Sequence, residues 1–175
     1  MQTVPGRVTE TERLVLRKFT VNDAQAMEAV FCDPEVMYSS DDGVESPEWV
    51  CNWINELIEK HYPSWGCGKW AIIEKETNEV VGYCGLSKHP DRCGPNEAEL
   101  GYRLIKKKWG NGIASEAVGS VCEYGLKTLR LSRIIATVEP GNLASVRVLQ
   151  KVGMRYESEI MYDGYTHPDH LYVTP

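Results

Sequence analysis

The stretch from Glu97 to Ala117 constrains this chain more than any other. Glu97 to Leu104 reads as a strand, and Gly110-Asn111-Gly112 leads directly into an amphipathic helix with the stripe Ile113, Ala114, Ala117, Val118, Val121, Cys122, Leu126 and Leu129. Glycines at such a turn let a ligand approach the backbone closely and reach conformations closed to other residues. A helix start presents unpaired N–H groups and the positive end of its dipole, which suits phosphate oxygens. Lys106-Lys107-Lys108, the only run of three basic residues in the chain, stands just before the turn and supports an anionic ligand. Two common phosphate motifs fit badly. A Walker-type loop needs Gly-Lys-Ser/Thr after four spacers, and a dinucleotide fingerprint needs a further glycine near Ser115.

The rest of the chain supplies a sheet and helices around that turn. Arg13 to Arg17 reads as a first strand, and Thr20-Val21-Asn22-Asp23 as a capping box with Asp in the usual place of Glu. Ala26, Met27, Val30 and Phe31 form a helical stripe that Asp33-Pro34 stops. Ser46 and Pro47 open a second helix carrying Trp49, Val50, Trp53, Ile54, Leu57, Ile58 and His61. Trp70–Ile73 and Val80–Cys84 make a hairpin, and Arg133 to Val138 is a strand covered on both faces. Asn142 caps a short helix that Gly153 ends. Tyr156–Tyr162 and Leu171–Val173 flank the turn dipeptide Asp163-Gly164 as a last hairpin. This order implies an α/β protein with one mixed sheet and helices on its faces, a single domain over residues 1–175. At 175 residues it buries about 70% of its unfolded surface, enough for a core without disulfides or a structural metal.

Charge and cysteine usage narrow the function. A net charge of −6 disfavours nucleic-acid binding, which needs a broad basic face. The six cysteines are dispersed with no C-x-x-C pair, so they read as reduced thiols, several buried, and not as metal ligands. No apolar run reaches the 18 or so residues of a membrane span, and the first ten residues lack a signal peptide's features; a cytoplasmic protein is expected.

Several segments together resemble the GNAT N-acetyltransferase superfamily, within it the RimJ/RimL-like branch. Trp109-Gly-Asn-Gly-Ile-Ala114 resembles its pyrophosphate loop, followed by the branch's Ser-Glu-Ala; Thr11 to Arg17 resembles the opening strand, and Asp33 to Met37 the first helix exit. Asn142 to Ser145 and Lys151 to Met154 resemble the second cofactor segment, so the likeness covers about residues 11–173 in order. The resemblance implies a central, mostly antiparallel sheet in which two parallel strands splay apart around acetyl-CoA, the acyl donor, with no metal. It implies that Tyr102, Arg103 and Leu104 offer backbone groups to pantetheine, that Trp109, Gly110, Asn111, Gly112, Ile113, Ala114 and Ser115 cradle the diphosphate, and that Lys106 to Lys108, Lys108 above all, add charge. Asn142 is a further cofactor contact. The tyrosine acid of many relatives is absent, its position being Leu149; Ser145 is instead assigned to hydrogen-bond the leaving thiolate.

On the strand that the resemblance gives to the cofactor, Glu99 is the acidic residue most in keeping with the branch pattern and so the candidate base. Strand alternation puts Glu97 and Glu99 on one face and Ala98 and Leu100 on the other, and leaves open which face meets the acceptor. Asp41, Asp42 and Glu45, with Tyr162, Asp163 and His167, lie in loops that cover the acceptor site in relatives and would recruit a cationic amine. The expected activity is direct acetyl transfer to a primary amine of a protein N-terminus, a polyamine or a small molecule, by a monomer or homodimer. The alternative is a catalytically silent acyl-CoA-binding module.

Overall fold

A computed structural model describes residues 4–39, 43–162 and 166–175. The chain opens with β1 (Arg7–Glu10) and β2 (Leu14–Arg17), paired antiparallel. β1 has no counterpart in the sequence reading: its four residues lie on the sheet edge, none of them buried, and show no apolar alternation. At the end of β2 the capping box forms as expected, with the Thr20 N–H donating to Asp23 Oδ2 at 2.7 Å. The same carboxylate takes a two-pronged contact from Arg17, both N–O distances 2.7 Å, and Asp23 is only 6% exposed.

That pair fixes how helix α1 (Ala24–Phe31) leaves the sheet. Burial alone would raise the Asp23 pKa, but Arg17 and the Thr20 N–H outweigh it and hold the carboxyl below its ordinary 3.8. A depressed carboxylate pKa contributes stability in full above the unfolded value and loses it as pH falls through the folded one. Asp23→Asn is therefore expected to cost about 2–3 kcal/mol at pH 7, because it leaves the Arg17 charge unmatched. The gap between the urea midpoints of variant and wild type should close as pH drops below about 4.

Helix α2 (Pro47–Glu56) begins as the sequence reads, Ser46 Oγ accepting from the Trp49 N–H at 3.1 Å. It runs on through one π turn, Leu57–His61, into a last turn, α3 (Tyr62–Trp65). The π turn was not foreseen, since apolar spacing alone does not separate it from α-helix. Phe31, Trp53 and the sheet residue Tyr83 meet with ring centroids 4.8–5.6 Å apart, seating α1 and α2 on one face.

The remaining elements are β3 (Lys69–Glu74), β4 (Glu79–Ser87), β5 (Glu97–Leu104), α4 (Ile113–Lys127), β6 (Arg133–Val138), α5 (Leu143–Lys151), β7 (Arg155–Ile160) and β8 (Asp169–Val173). Lys106–Lys108 forms a 3₁₀ turn between β5 and the glycines. Among the described residues these strands form one eight-stranded sheet, ordered β1-β2-β3-β4-β5-β6-β8-β7. The final hairpin is present, but its second strand lies inside, between β6 and β7; Asp163 and Gly164 fall outside the described residues. α4 covers the face opposite α1 and α2, with Tyr124 edge-on to Trp70. No helix among the described residues is long and apolar enough to cross a membrane. Cys67, Cys84 and Cys122 are buried as small apolar residues.

One register decides the site. β5 and β6 are the only parallel neighbours in that order, and they pair at Glu97↔Arg133, Ala98↔Ile134 and Glu99↔Ile135, then part. β5 runs on to Leu104 held by β4, while β6 runs on to Val138 held by β8. The sheet is thus split from Leu100 onward, with no break in either strand.

Candidate active site

The split opens into a cleft of about 1270 Å³. Of the residues singled out in the sequence, Glu99, Tyr102, Arg103, Leu104, Lys108, Trp109, Gly110, Gly112, Ile113, Ala114, Ser115, Asn142 and Ser145 all line it. Lys106 and Lys107 do not, and neither does Asn111. Its carbonyl accepts from Arg13 Nη1 at 3.0 Å, its amide donates to the Trp109 carbonyl at 3.1 Å, and it lines a smaller, separate cavity.

The turn is built for close approach. Gly110 and Gly112 have φ of +74° and +77°, and nothing lies within 4 Å of where a Gly110 side chain would begin. The first bond of α4 runs from the Glu116 N–H to the Gly112 carbonyl at 3.1 Å, so the N–H groups of Ile113, Ala114 and Ser115 precede the helical ladder. Glu116 anchors the turn from behind. It accepts from the Thr11 hydroxyl, the Arg13 N–H at 3.0 Å and Arg13 Nε at 2.7 Å. The Thr11-Glu-Arg and Ser-Glu-Ala segments, read separately in the sequence, are one clamp.

The lysine triplet is not free. Lys106 pairs with Glu35, Lys107 with Glu79 at 3.1 Å and Lys108 with Glu74 at 2.5 Å. Lys108 still lines the cleft, but its charge is shared with a carboxylate 14% exposed. The Trp109 indole donates to the Leu104 carbonyl at 3.0 Å and straps the strand end to the turn.

Strand alternation divides the cleft into two faces. Tyr102 turns toward α5, where its hydroxyl lies 2.6 Å from Ser145 Oγ, bridging the two lips of the split. Asn142 caps α5, Oδ1 accepting from the Ser145 N–H at 3.1 Å while its amide donates to Ser39 Oγ at 3.1 Å. Burial pushes the Tyr102 phenol up to about 12, so at neutral pH it keeps its proton and is a hydrogen-bond donor. The sequence reading had missed this side chain because partners 43 residues apart have no local spacing signal.

The opposite face carries Glu99, which the sequence left unoriented. It is 7% exposed, accepts from Thr137 Oγ1 at 2.8 Å, and has Arg92 Nη1 and His89 Nε2 each 3.5 Å from Oε2. Burial holds His89 below its ordinary 6.5, with Glu99 opposing. Arg92 also stacks 4.1 Å over the Tyr162 ring. Tyr162 and His167 line the cleft; Glu45 does not, and Asp41, Asp42 and Asp163 lie outside the described residues.

Comparison with known proteins agrees with this geometry. The profile of the Acetyltransferase (GNAT) domain matches residues 13–155. The uncharacterized N-acetyltransferase YoaA of Bacillus subtilis (strain 168) is 36% identical over 166 residues, 93% of this chain and 92% of its own. A GNAT-family acetyltransferase from Bacillus anthracis superposes with a TM-score of 0.80 at 32% identity, covering 94% of this chain and 95% of that one. RimL, a ribosomal L7/L12 α-N-protein acetyltransferase in complex with coenzyme A, reaches a TM-score of 0.80 at 20% identity, over 95% of this chain and 96% of its own, a likeness of fold.

Proposed function

The chain belongs to the GNAT acetyltransferase family, and from that membership we propose that it moves an acetyl group from acetyl-CoA directly to a primary amine. One observation carries the reading: two parallel strands part beyond Glu99 and Ile135, and the freed strand ends in a left-handed glycine turn that opens a helix. The turn's N–H groups, Gly110 through Ser115, would hold a diphosphate. The β5 edge from Leu100 to Leu104, without a partner on the β6 side, spans about 14 Å and would pair with an extended pantetheine arm. That length brings the thioester to the level of Glu99–Gly101. Acetyl-CoA supplies the acetyl group and the leaving thiol; the rest belongs to the chain's own side chains.

Glu99 takes a proton from the incoming amine as the new N–C bond forms and the C–S bond breaks. With Tyr102 as the donor in the hydroxyl pair, the serine's own proton would be free to point at the departing sulfur. A main-chain N–H of β5 meets the negative charge that develops on the acetyl oxygen. The RimJ/RimL-like motifs and the cytoplasmic setting of a reduced-thiol protein belong to the same reading; the motif run from Thr11 to Met154 supports the first. No observation favours a silent binding module.

The test follows free thiol while the protein meets acetyl-CoA and a panel of peptides, polyamines, amino acids and aminoglycosides. Acceptor-dependent thiol release is expected. Failure to bind coenzyme A would overturn the reading.

A further inference from the structure

The acceptor half of the cleft gathers cations in a chain that is acidic as a whole. Lys69, Gly85 and Gly101 face one another in register across β3, β4 and β5, so they occupy one row on the Glu99 face. The row is empty but for the lysine. A side chain begun at Gly101 would meet Lys69 Nζ at 2.5 Å and Cε at 3.2 Å, so Lys69 lies across two glycines and ends on β5. Along β5, Glu99 and Arg103 flank Gly101 on that same face, each about 7 Å away. Among the described residues neither Lys69 nor Arg103 has a carboxylate within ion-pair distance; Arg103 packs on the Met37 sulfur. Arg92 closes the pocket from the β4–β5 loop, already sharing Glu99. Three cations, Lys69, Arg92 and Arg103, therefore line the cleft beside Glu99, with Asp169 the further carboxylate on the Tyr162 side.

Resting on the acetyl-transfer reading, we propose that the acceptor bears a carboxylate a few bonds from its amino group, as an amino acid does, and that Lys69 with Arg103 receives that carboxylate while Glu99 takes the amine. The spacing sets the size. Glu99 and Lys69 share one cleft wall but lie beyond ion-pair contact, so amine and carboxylate must be close on a compact molecule, not at the ends of a polyamine. The energetics agree. Burial holds the Lys69 ammonium below its ordinary pKa, with Glu99 opposing. A half-buried cation without a counter-ion is costly, and an arriving carboxylate removes that cost. A polycation meets the reverse, like charges in a partly dehydrated site.

The experiment compares the common amino acids with their carboxamides, and both with spermidine, using wild type, Lys69→Met and Lys69→Glu. In wild type the acids should be turned over at least about tenfold faster than their amides, with spermidine slower still, each tenfold corresponding to a lost charge contact. Lys69→Met should collapse the acid-to-amide ratio toward one through KM, and Lys69→Glu should invert it in favour of diamines; unchanged coenzyme A affinity certifies that both variants fold. Equal rates on acid and amide, preference for spermidine, or an unchanged ratio in Lys69→Met would overturn the proposal while leaving acetyl transfer intact. Should coenzyme A bind without any thiol release, the transfer reading fails separately. Amino-acid binding to the coenzyme complex, followed by NMR line shifts in wild type and Lys69→Met, then decides this one: shifts confined to wild type support it, and their absence or persistence in both overturns it.

Discussion

Gly112→Asp is expected to weaken acetyl-CoA binding at least about a hundredfold while leaving the melting temperature within a few degrees of the wild type. Two terms act together. Gly112 sits at φ +77°, where a residue with a side chain costs about 1–2 kcal/mol. The new carboxylate would stand about 5 Å from a diphosphate, a repulsion of about 3 kcal/mol per charge at an effective dielectric of 20. Space is not the issue, because the nearest atom to a new side chain is Arg13 Nη2 at 3.5 Å. Gly112→Asn separates the terms. Asparagine tolerates the left-handed conformation and adds no charge, so it should retain most of the affinity. Isothermal titration of coenzyme A onto the three proteins checks this, and equal losses for Asn and Asp would show that the grip is not electrostatic.

The second large effect concerns the hydroxyl pair across the split. Ser145→Ala is expected to lower kcat about a hundredfold with the KM for acetyl-CoA changed less than about threefold, in line with losing one donor aimed at developing charge. Tyr102→Phe should lower kcat about tenfold, since it removes only the group that orients the serine proton. The double variant should fall no further than Ser145→Ala alone, because one hydroxyl works through the other. A purely structural tyrosine would instead give additive losses. The thiol of bound coenzyme A supplies an independent readout: its titration should move upward by about one unit in either single variant, since the bound thiolate loses hydrogen-bond support.

What could be read without coordinates was what is local. The glycine turn, the N-caps at Ser46 and Asn142 and the strand from Glu97 to Leu104 each depend on residues a few positions apart, and each is found where the sequence put it. What escaped is set by pairing between distant segments. Leu149 is buried at 1% exposure, while the Tyr102 hydroxyl reaches Ser145 from another element. Lys69 stands just outside the apolar run Trp70–Ile73, and only the register across Gly85 and Gly101 carries it to the cleft. The lysine triplet looked like a free anion-binding charge because Glu35, Glu74 and Glu79 lie far away in sequence. Alternation divided β5 into two faces correctly but had no way to say which one α1 and α2 would cover.

The clamp of Glu116 on Thr11 and Arg13 makes the shape of the glycine turn a property of two segments a hundred residues apart. Trimming the amino end past residue 13, as a protease or an over-short expression boundary would, leaves the glycines untouched yet removes the brace that holds their curvature.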